Sequence, residues 1–262
     1  MEERSVLQVG GSLEKAVKGE YSIDVKAVLN EAWTNTSKSR IAINVGLLFT
    51  LSIGVVITLV VSQYLGGIEV VFEDQQSSAI LNILVTLVVY PFLVGVEMMG
   101  VFHAVGLKTN AKLVFAFLKR GSWVAICALL TSTLVTMGIT LFVVPGIYLA
   151  VALSLVLPLV VEKRLSPLKA ISLSLQATRF QWFNLFVVYL VMFFLLIAAC
   201  LPVLLLANTT LSLIGGVMTL FALTYIAPLF YNMKGILYRE IFGMKLNVAK
   251  GSDINIDSTF SA

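Results

Sequence analysis

Six long apolar stretches, at roughly 41–63, 79–107, 123–144, 147–161, 185–206 and 211–231, leave this 262-residue chain few ways to fold. Crossing about 30 Å of hydrocarbon takes about 20 apolar residues in a helix. Most of the stretches reach that length, 79–107 exceeds it, and 147–161 falls short. All eighteen lysines and arginines lie in the N-terminal arm, the 108–122 loop, the 162–184 loop and the C-terminal tail. The connections at 64–78, 145–146 and 207–210 hold none. Cytoplasmic loops carry the positive excess. The expected fold is therefore all-α and polytopic: six transmembrane helices forming three hairpins, with both termini cytoplasmic.

Charged residues make up 12% of the chain, against about 25% in globular domains. The net charge of +4 sits beside span ends, where anionic headgroups explain it before nucleic acid does. Membrane lipid is the expected partner, with a membrane-protein partner or a second copy as the alternative, and no nucleic acid. The first forty residues hold no continuous apolar core, so the first span is expected to direct insertion. Cys127 and Cys200 lie singly inside apolar spans and read as small packing residues. No disulfide, metal or cofactor is expected.

Residues 1–20 read as a flexible cytoplasmic arm, 21–245 as one six-helix domain, and 246–262 as a flexible cytoplasmic tail. Val25, Val28, Leu29, Ala32 and Trp33 recur at helical spacing, which predicts an amphipathic helix in the cytoplasmic interface, capped by Ser22 or Asp24. A charged hinge at Ser37–Arg40 leads into the first span. Residues 110–120 and 166–181 predict similar helices before the third and fifth spans, and 232–245 a fourth. In the 166–181 helix, Ser166 and Pro167 open it, and Leu168, Ile171 and Leu175 form its apolar side. Trp33, Trp123 and Trp182 stand where these helices meet the spans, as headgroup-level anchors.

Span one carries Ala42, Gly46, Thr50, Gly54, Thr58 and Ser62 four residues apart, and span three carries Ala128, Ser132, Thr136 and Thr140. Small residues at this spacing let helices approach closely. Gly46, Thr50, Gly54, Ser132 and Thr136 are accordingly the expected packing positions, a polar-lined path being the other reading. Pro145–Gly146 is expected to be the turn between spans three and four. The short fourth span is either an interrupted helix of the kind that builds transporter sites or an ordinary tight hairpin.

Glu97 is the only carboxylate inside a predicted span, which makes it a candidate ion, proton or substrate site. His103 follows six residues later. That separation is about 240° around a helix, so the two do not share a face. The plainer reading places Glu97 at the cytoplasmic boundary, because the 29-residue second stretch, at about 43 Å, overshoots the core. The chain has no phosphate-binding loop, no H-E-x-x-H and no G-x-S-x-G, so no enzyme activity is expected.

Three segments carry a resemblance: YSIDVKAVLNEAW, VVPGIYLAVALSLVLPLVVEKRLSPLKAISLSLQATRFQWFN and APLFYNMKGILYREIFG. Their Pro-Gly pair, the S-P-L-x-A-I-x-x-S helix from Ser166 to Ser174 and the closing L-Y-R-E from Leu237 to Glu240 resemble bacterial inner-membrane proteins of the YciC type. More distantly, they resemble the membrane domain of some glycerophosphodiester phosphodiesterases. The resemblance implies an all-α membrane protein, suggests a lipid-related role and supplies no activity or site residues. The expected function is non-enzymatic envelope or lipid organisation, or scaffolding; the alternative is a small transporter or channel using Glu97.

Overall fold

A computed structural model of the protein describes residues 5–248, and the chain divides into two compact units. The elements in order are β1 (Ser5–Val9), α1 (Leu13–Lys18), α2 (Val25–Tyr64), α3 (Ile68–Glu73), α4 (Gln75–Ala104) and α5 (Gly121–Leu141). Then follow α6 (Val143–Ala152), α7 (Val156–Glu162), α8 (Pro167–Thr178), α9 (Trp182–Leu206), α10 (Ser212–Phe242) and β2 (Met244–Val248). Among the described residues the fold is all-α, with one two-stranded ribbon and no sheet core. Six helical segments are long and apolar enough to cross a membrane. Most of the expected tail, 249–262, lies outside the described residues, as do residues 1–4.

The first unit comprises residues up to Arg40, Met99–Thr109 and the chain from Gln176 onward. Asp24 caps α2, its Oδ1 accepting from the Lys26 and Ala27 amides at 2.9 and 3.2 Å. Val28, Ala32 and Thr36, four apart, form the buried face of α2's first turns. The helix then kinks at Ser39 (φ −137°). The cause is local: the hydroxyls of Thr34, Thr36, Ser37 and Ser39 all donate to carbonyls four residues back, which competes with the helical ladder and bends it. The expected interfacial helix and hinge are thus one continuous run with a bend.

Residues 5–19, expected to be a flexible arm, are structured. β1 pairs antiparallel with β2, Ser5 opposite Val248 and Val9 opposite Met244. Gly10 has φ +83°, and a side chain there would meet the Arg239 carbonyl at 2.2 Å, so glycine alone lets the arm cross the end of α10. Residues 232–245 differ as well. They were expected to lie amphipathically in the interface, yet Asn232, Met233, Lys234, Ile236, Leu237, Tyr238, Ile241 and Phe242 are all buried in this unit's core. Arg239 reconciles charge with burial. Its Nη1 and Nη2 donate to the Glu31 carboxylate at 2.5 and 2.8 Å, and Nη1 also donates to the Ala104 carbonyl at 2.6 Å, capping α4.

The second unit comprises 41–98 and 110–175. Its centre is the fourth span, the 20-residue and largely apolar segment Val143–Glu162, about the number of residues a crossing takes. The span is therefore long enough, contrary to expectation. Phe142 alone is extended between α5 and α6 (φ −152°, ψ 126°), and Pro145 and Gly146 fall inside the first turn of α6. Proline is tolerated there because its missing N–H has no helical partner to lose. Gly146 is needed for packing: a Cβ would lie 2.4 Å from the Ile139 nitrogen. The helix breaks at 153–155 before Pro158 in α7, and the Ser174 hydroxyl accounts for the Ala152 carbonyl at 2.6 Å. Arg120 Nη1 donates to the Val160 carbonyl at 2.8 Å, near the last turn of α7.

Two expectations fail locally. Residues 110–120 form two short 3-10 turns, Ala111–Phe115 and Leu118–Arg120, and no α-helix. In α8 the buried side comprises Pro167, Ala170, Ile171, Ser174, Ala177 and Thr178, while Leu168 is 70% exposed and Leu175 is intermediate. Small side chains allow the close approach that a leucine face would prevent.

Candidate functional site

His103, in the last turn of α4, lies at the centre of a buried polar cluster in the first unit. Its Nδ1 is 2.8 Å from Asn232 Oδ1 and 3.2 Å from Ser39 Oγ, and its Nε2 is 2.7 Å from Thr109 Oγ1. Asn232 Nδ2 donates to Thr36 Oγ1 at 3.0 Å. The proton positions follow from counting donors. Thr36 and Ser39 spend their hydroxyl protons on the Ala32 and Asn35 carbonyls. Asn232 Oδ1 and Ser39 Oγ are then acceptors, so Nδ1 carries the proton. In the neutral ring Nε2 accepts from Thr109. The cluster closes on itself and joins α2 at its kink, the end of α4 and α10. Its chemistry is that of a latch, and it offers no open ligand position.

Glu97 is buried, at 6% exposure, in the second unit. Its charge lies within electrostatic reach of Tyr90, seven residues earlier on the same face, and of Cys127 on α5. Glu97 belongs to the second unit and His103 to the first. Among the described residues no three His, Cys, Asp or Glu gather where a metal ion could be held.

Trp182 and Trp123 stand at the starts of α9 and α5, whereas Trp33 lies within α2. Trp182 opens α9 and stacks on Phe186 at 5.2 Å, and the half-exposed Trp123 is third in α5. Trp33, 52% exposed, stacks on Tyr225 at 6.2 Å ahead of the kink, and the Arg40 guanidinium covers the same Tyr225 ring at 3.9 Å.

The two small-residue stripes diverge. Gly46, Thr50 and Ser62 are buried, and a Cβ on Gly54 would reach Val89 at 3.5 Å, so the first stripe is a packed seam in the second unit. In the second stripe only Ala128 is buried, at 1% exposure. Ser132 and Thr136, expected to pack, instead line an open groove of about 450 Å³ between α5 and α4, opposite Gln75, Ser78 and Asn82. A second groove of about 470 Å³ follows one turn further along the same helices, lined by apolar residues including Leu87, Phe92 and Ile126. Asn232 and Asn82 were not singled out in the sequence. Gln75, Ser78 and Asn82 at i, i+3, i+7 were the available signal for the groove; Asn232 had none, because its partners lie 129 and 196 residues away.

Six membrane-length helices define a multi-pass membrane protein of the all-α class. No family model, curated protein or solved structure matches the chain.

Proposed function

We propose that this is a non-enzymatic protein of a bacterial inner membrane that organises lipid or scaffolds a partner within the bilayer, with both termini in the cytoplasm. One observation carries the reading. Every lysine and arginine stands in segments that flank spans on one side, while the helices turn large apolar side chains outward, such as Leu51, Leu141, Leu205 and Leu213 at 63–79% exposure. Surface of that kind is solvated by lipid, and basic residues at its edge attract anionic headgroups. Kinship with the YciC type is part of this proposal and rests on the three quoted segments alone.

The test is direct. The purified protein should retain phospholipid in native mass spectrometry and bind vesicles containing phosphatidylglycerol. Replacing Lys112, Lys119, Lys163 and Lys169 with glutamine should weaken that binding. A protein that carries no lipid and is indifferent to vesicle composition would sink the reading.

The burial of Glu97 inside a span favours a second reading, a small proton-coupled transporter. Glu97→Gln would then abolish flux in proteoliposomes, whereas wild-type vesicles that show no flux of their own would remove this alternative.

A further inference from the structure

We propose that the seam between α4 and α5 holds one ethanolamine phospholipid from the leaflet on the side of the 64–78 connection. Its headgroup would lie in the polar groove and one acyl chain in the apolar groove. The inference rests on the lipid-phase reading above and adds a site, a lipid class and a side of the membrane.

The first argument is the polarity of the seam. On α4, Gln75, Ser78 and Asn82 share one face, and on α5 they meet Ser132, Thr133 and Thr136. Asn82, Thr133 and Thr136 are exposed although they belong to membrane-length helices. Hydrocarbon offers such groups no hydrogen-bond partner, so leaving them against acyl chains alone is costly. Their neighbours satisfy them only in part. Ser132 Oγ donates to the Leu129 carbonyl at 3.0 Å, and Asn82 Oδ1 accepts from Thr86 at 3.3 Å. No described residue accepts from the Asn82 amide N–H, which is exposed on the groove. An occupant bringing several acceptor oxygens fits this lining, and a phosphodiester has them.

The second argument is the change of character along the seam. One turn beyond Asn82 the lining becomes Leu87, Val88, Pro91 and Phe92 opposite Leu118 and Ile126. This stretch ends at a cluster of rings in which Phe92, Phe49 and Phe115 meet edge to face at 5.1–6.0 Å. From Gln75 to Phe92 the helix rises about 26 Å. Half the hydrocarbon core is about 15 Å. The seam is thus long enough for a headgroup followed by one leaflet's depth of chain, in that order and pointing away from the 64–78 connection.

The third argument is charge. That connection carries Glu69, Glu73 and Asp74 with no lysine or arginine. Asp74 stands next to the polar groove, and its hydrogen bonds from the Ser77 hydroxyl and amide hold its carboxyl below the ordinary carboxylate range, so the charge persists at neutral pH. A headgroup carrying an ammonium can neutralise this rim while its phosphate accepts from Gln75, Asn82 and Thr133. A phosphoglycerol headgroup brings only negative charge to an acidic rim and is disfavoured.

The experiment uses the full-length protein in mixed micelles with equal amounts of phosphatidylethanolamine and phosphatidylglycerol of distinguishable chain mass, read by native mass spectrometry. Wild type should keep one phosphatidylethanolamine in several-fold excess. The double variant Asn82→Leu, Thr133→Val should lose that excess, and Thr136→Phe, which fills the groove and leaves those donors in place, should lose it too. Asp74→Asn should reduce the preference for ethanolamine over glycerol without abolishing retention. A preference unchanged in both groove variants overturns the site, and preferential retention of phosphatidylglycerol at the groove overturns the charge argument. If disulfide crosslinking of Thr133→Cys yields efficient dimers in place of lipid retention, the occupant is a second copy and the proposal fails. Wild type that retains no lipid of either kind defeats the lipid-phase reading as well, whereas retention insensitive to the groove variants defeats the site alone.

Discussion

His103 Nδ1 lies 2.8 Å from Asn232 Oδ1, and this bond fastens the last turn of α4 to the buried half of α10. Removing the ring strands the Asn232 carbonyl oxygen and the Thr109 hydroxyl, and an unsatisfied buried polar group costs about 1–3 kcal/mol. His103→Ala should therefore lower the thermal midpoint of the detergent-purified protein clearly. Thr109→Val, which removes one donor, should lower it less. Equal midpoints for wild type and His103→Ala would mean that the cluster does not hold the helices together.

The same crossing depends on two glycines. A Cβ on Gly235 would lie 2.1 Å from the backbone of Gly100, and one on Gly100 would lie 2.0 Å from the Tyr231 carbonyl oxygen. Backbone cannot yield as a flexible side chain can, so Gly235→Ala should destabilise by about 2–4 kcal/mol and cut the yield of folded protein. A Cβ on Gly216, elsewhere in α10, would have nothing within 4 Å. There alanine should be neutral or stabilise by up to about 1 kcal/mol through helix propensity. Thermal midpoints of the two variants compared with wild type decide the matter.

The sequence made the spans legible because apolar length and charge placement are local signals. It left obscure whatever depends on distant partners. Residues 232–245 look amphipathic because Lys234, Arg239 and Glu240 interrupt an apolar run. Arg239 is nonetheless satisfied by Glu31, 208 residues away, and the helix can be buried. The pairing of β1 with β2 joins opposite ends of the chain, so no window of sequence contains it. Pro145–Gly146 misled for a different reason: the pair is a turn signal, but it also suits a helix's first turn when a neighbouring backbone approaches closely. Of the candidate site, the place of Glu97 within an apolar run was legible, but its burial was not, because burial depends on what packs against the helix. The groove was not, because whether Ser132 and Thr136 pack or line an opening depends on how far α4 and α5 diverge.

Tyr21 provides a pH test outside the spans. Its hydroxyl donates to the Ala177 carbonyl at 2.7 Å, and burial pushes the phenol up to about 12 from its ordinary value of 10.0. A folded-state value above the unfolded one means that the neutral phenol's contribution is complete below pH 10 and is lost as pH rises towards 12. Wild type should lose stability more steeply than Tyr21→Phe across that window, measured by thermal midpoint. Parallel curves would contradict the buried bond.

Ser174 tests the packing of α8. Its hydroxyl donates to the Ala152 carbonyl at 2.6 Å, beside the break between α6 and α7. Ser174→Val should cost about 1–3 kcal/mol by stranding that buried carbonyl. Changing the exposed Gln176 to alanine should do little, and matching midpoints for the two variants would show that α8 is not packed by its small-residue face.

The orientation underlies both the proposed function and the lipid site, and thiol labelling in intact cells tests it most directly. With Cys127 and Cys200 replaced by alanine, single cysteines at Gln75 and Asn208 should react with a membrane-impermeant reagent added from outside. Cysteines at Lys112 and Lys169 should react only after the membrane is opened. Labelling of Lys112 and Lys169 from outside, with Gln75 and Asn208 protected, would contradict the account.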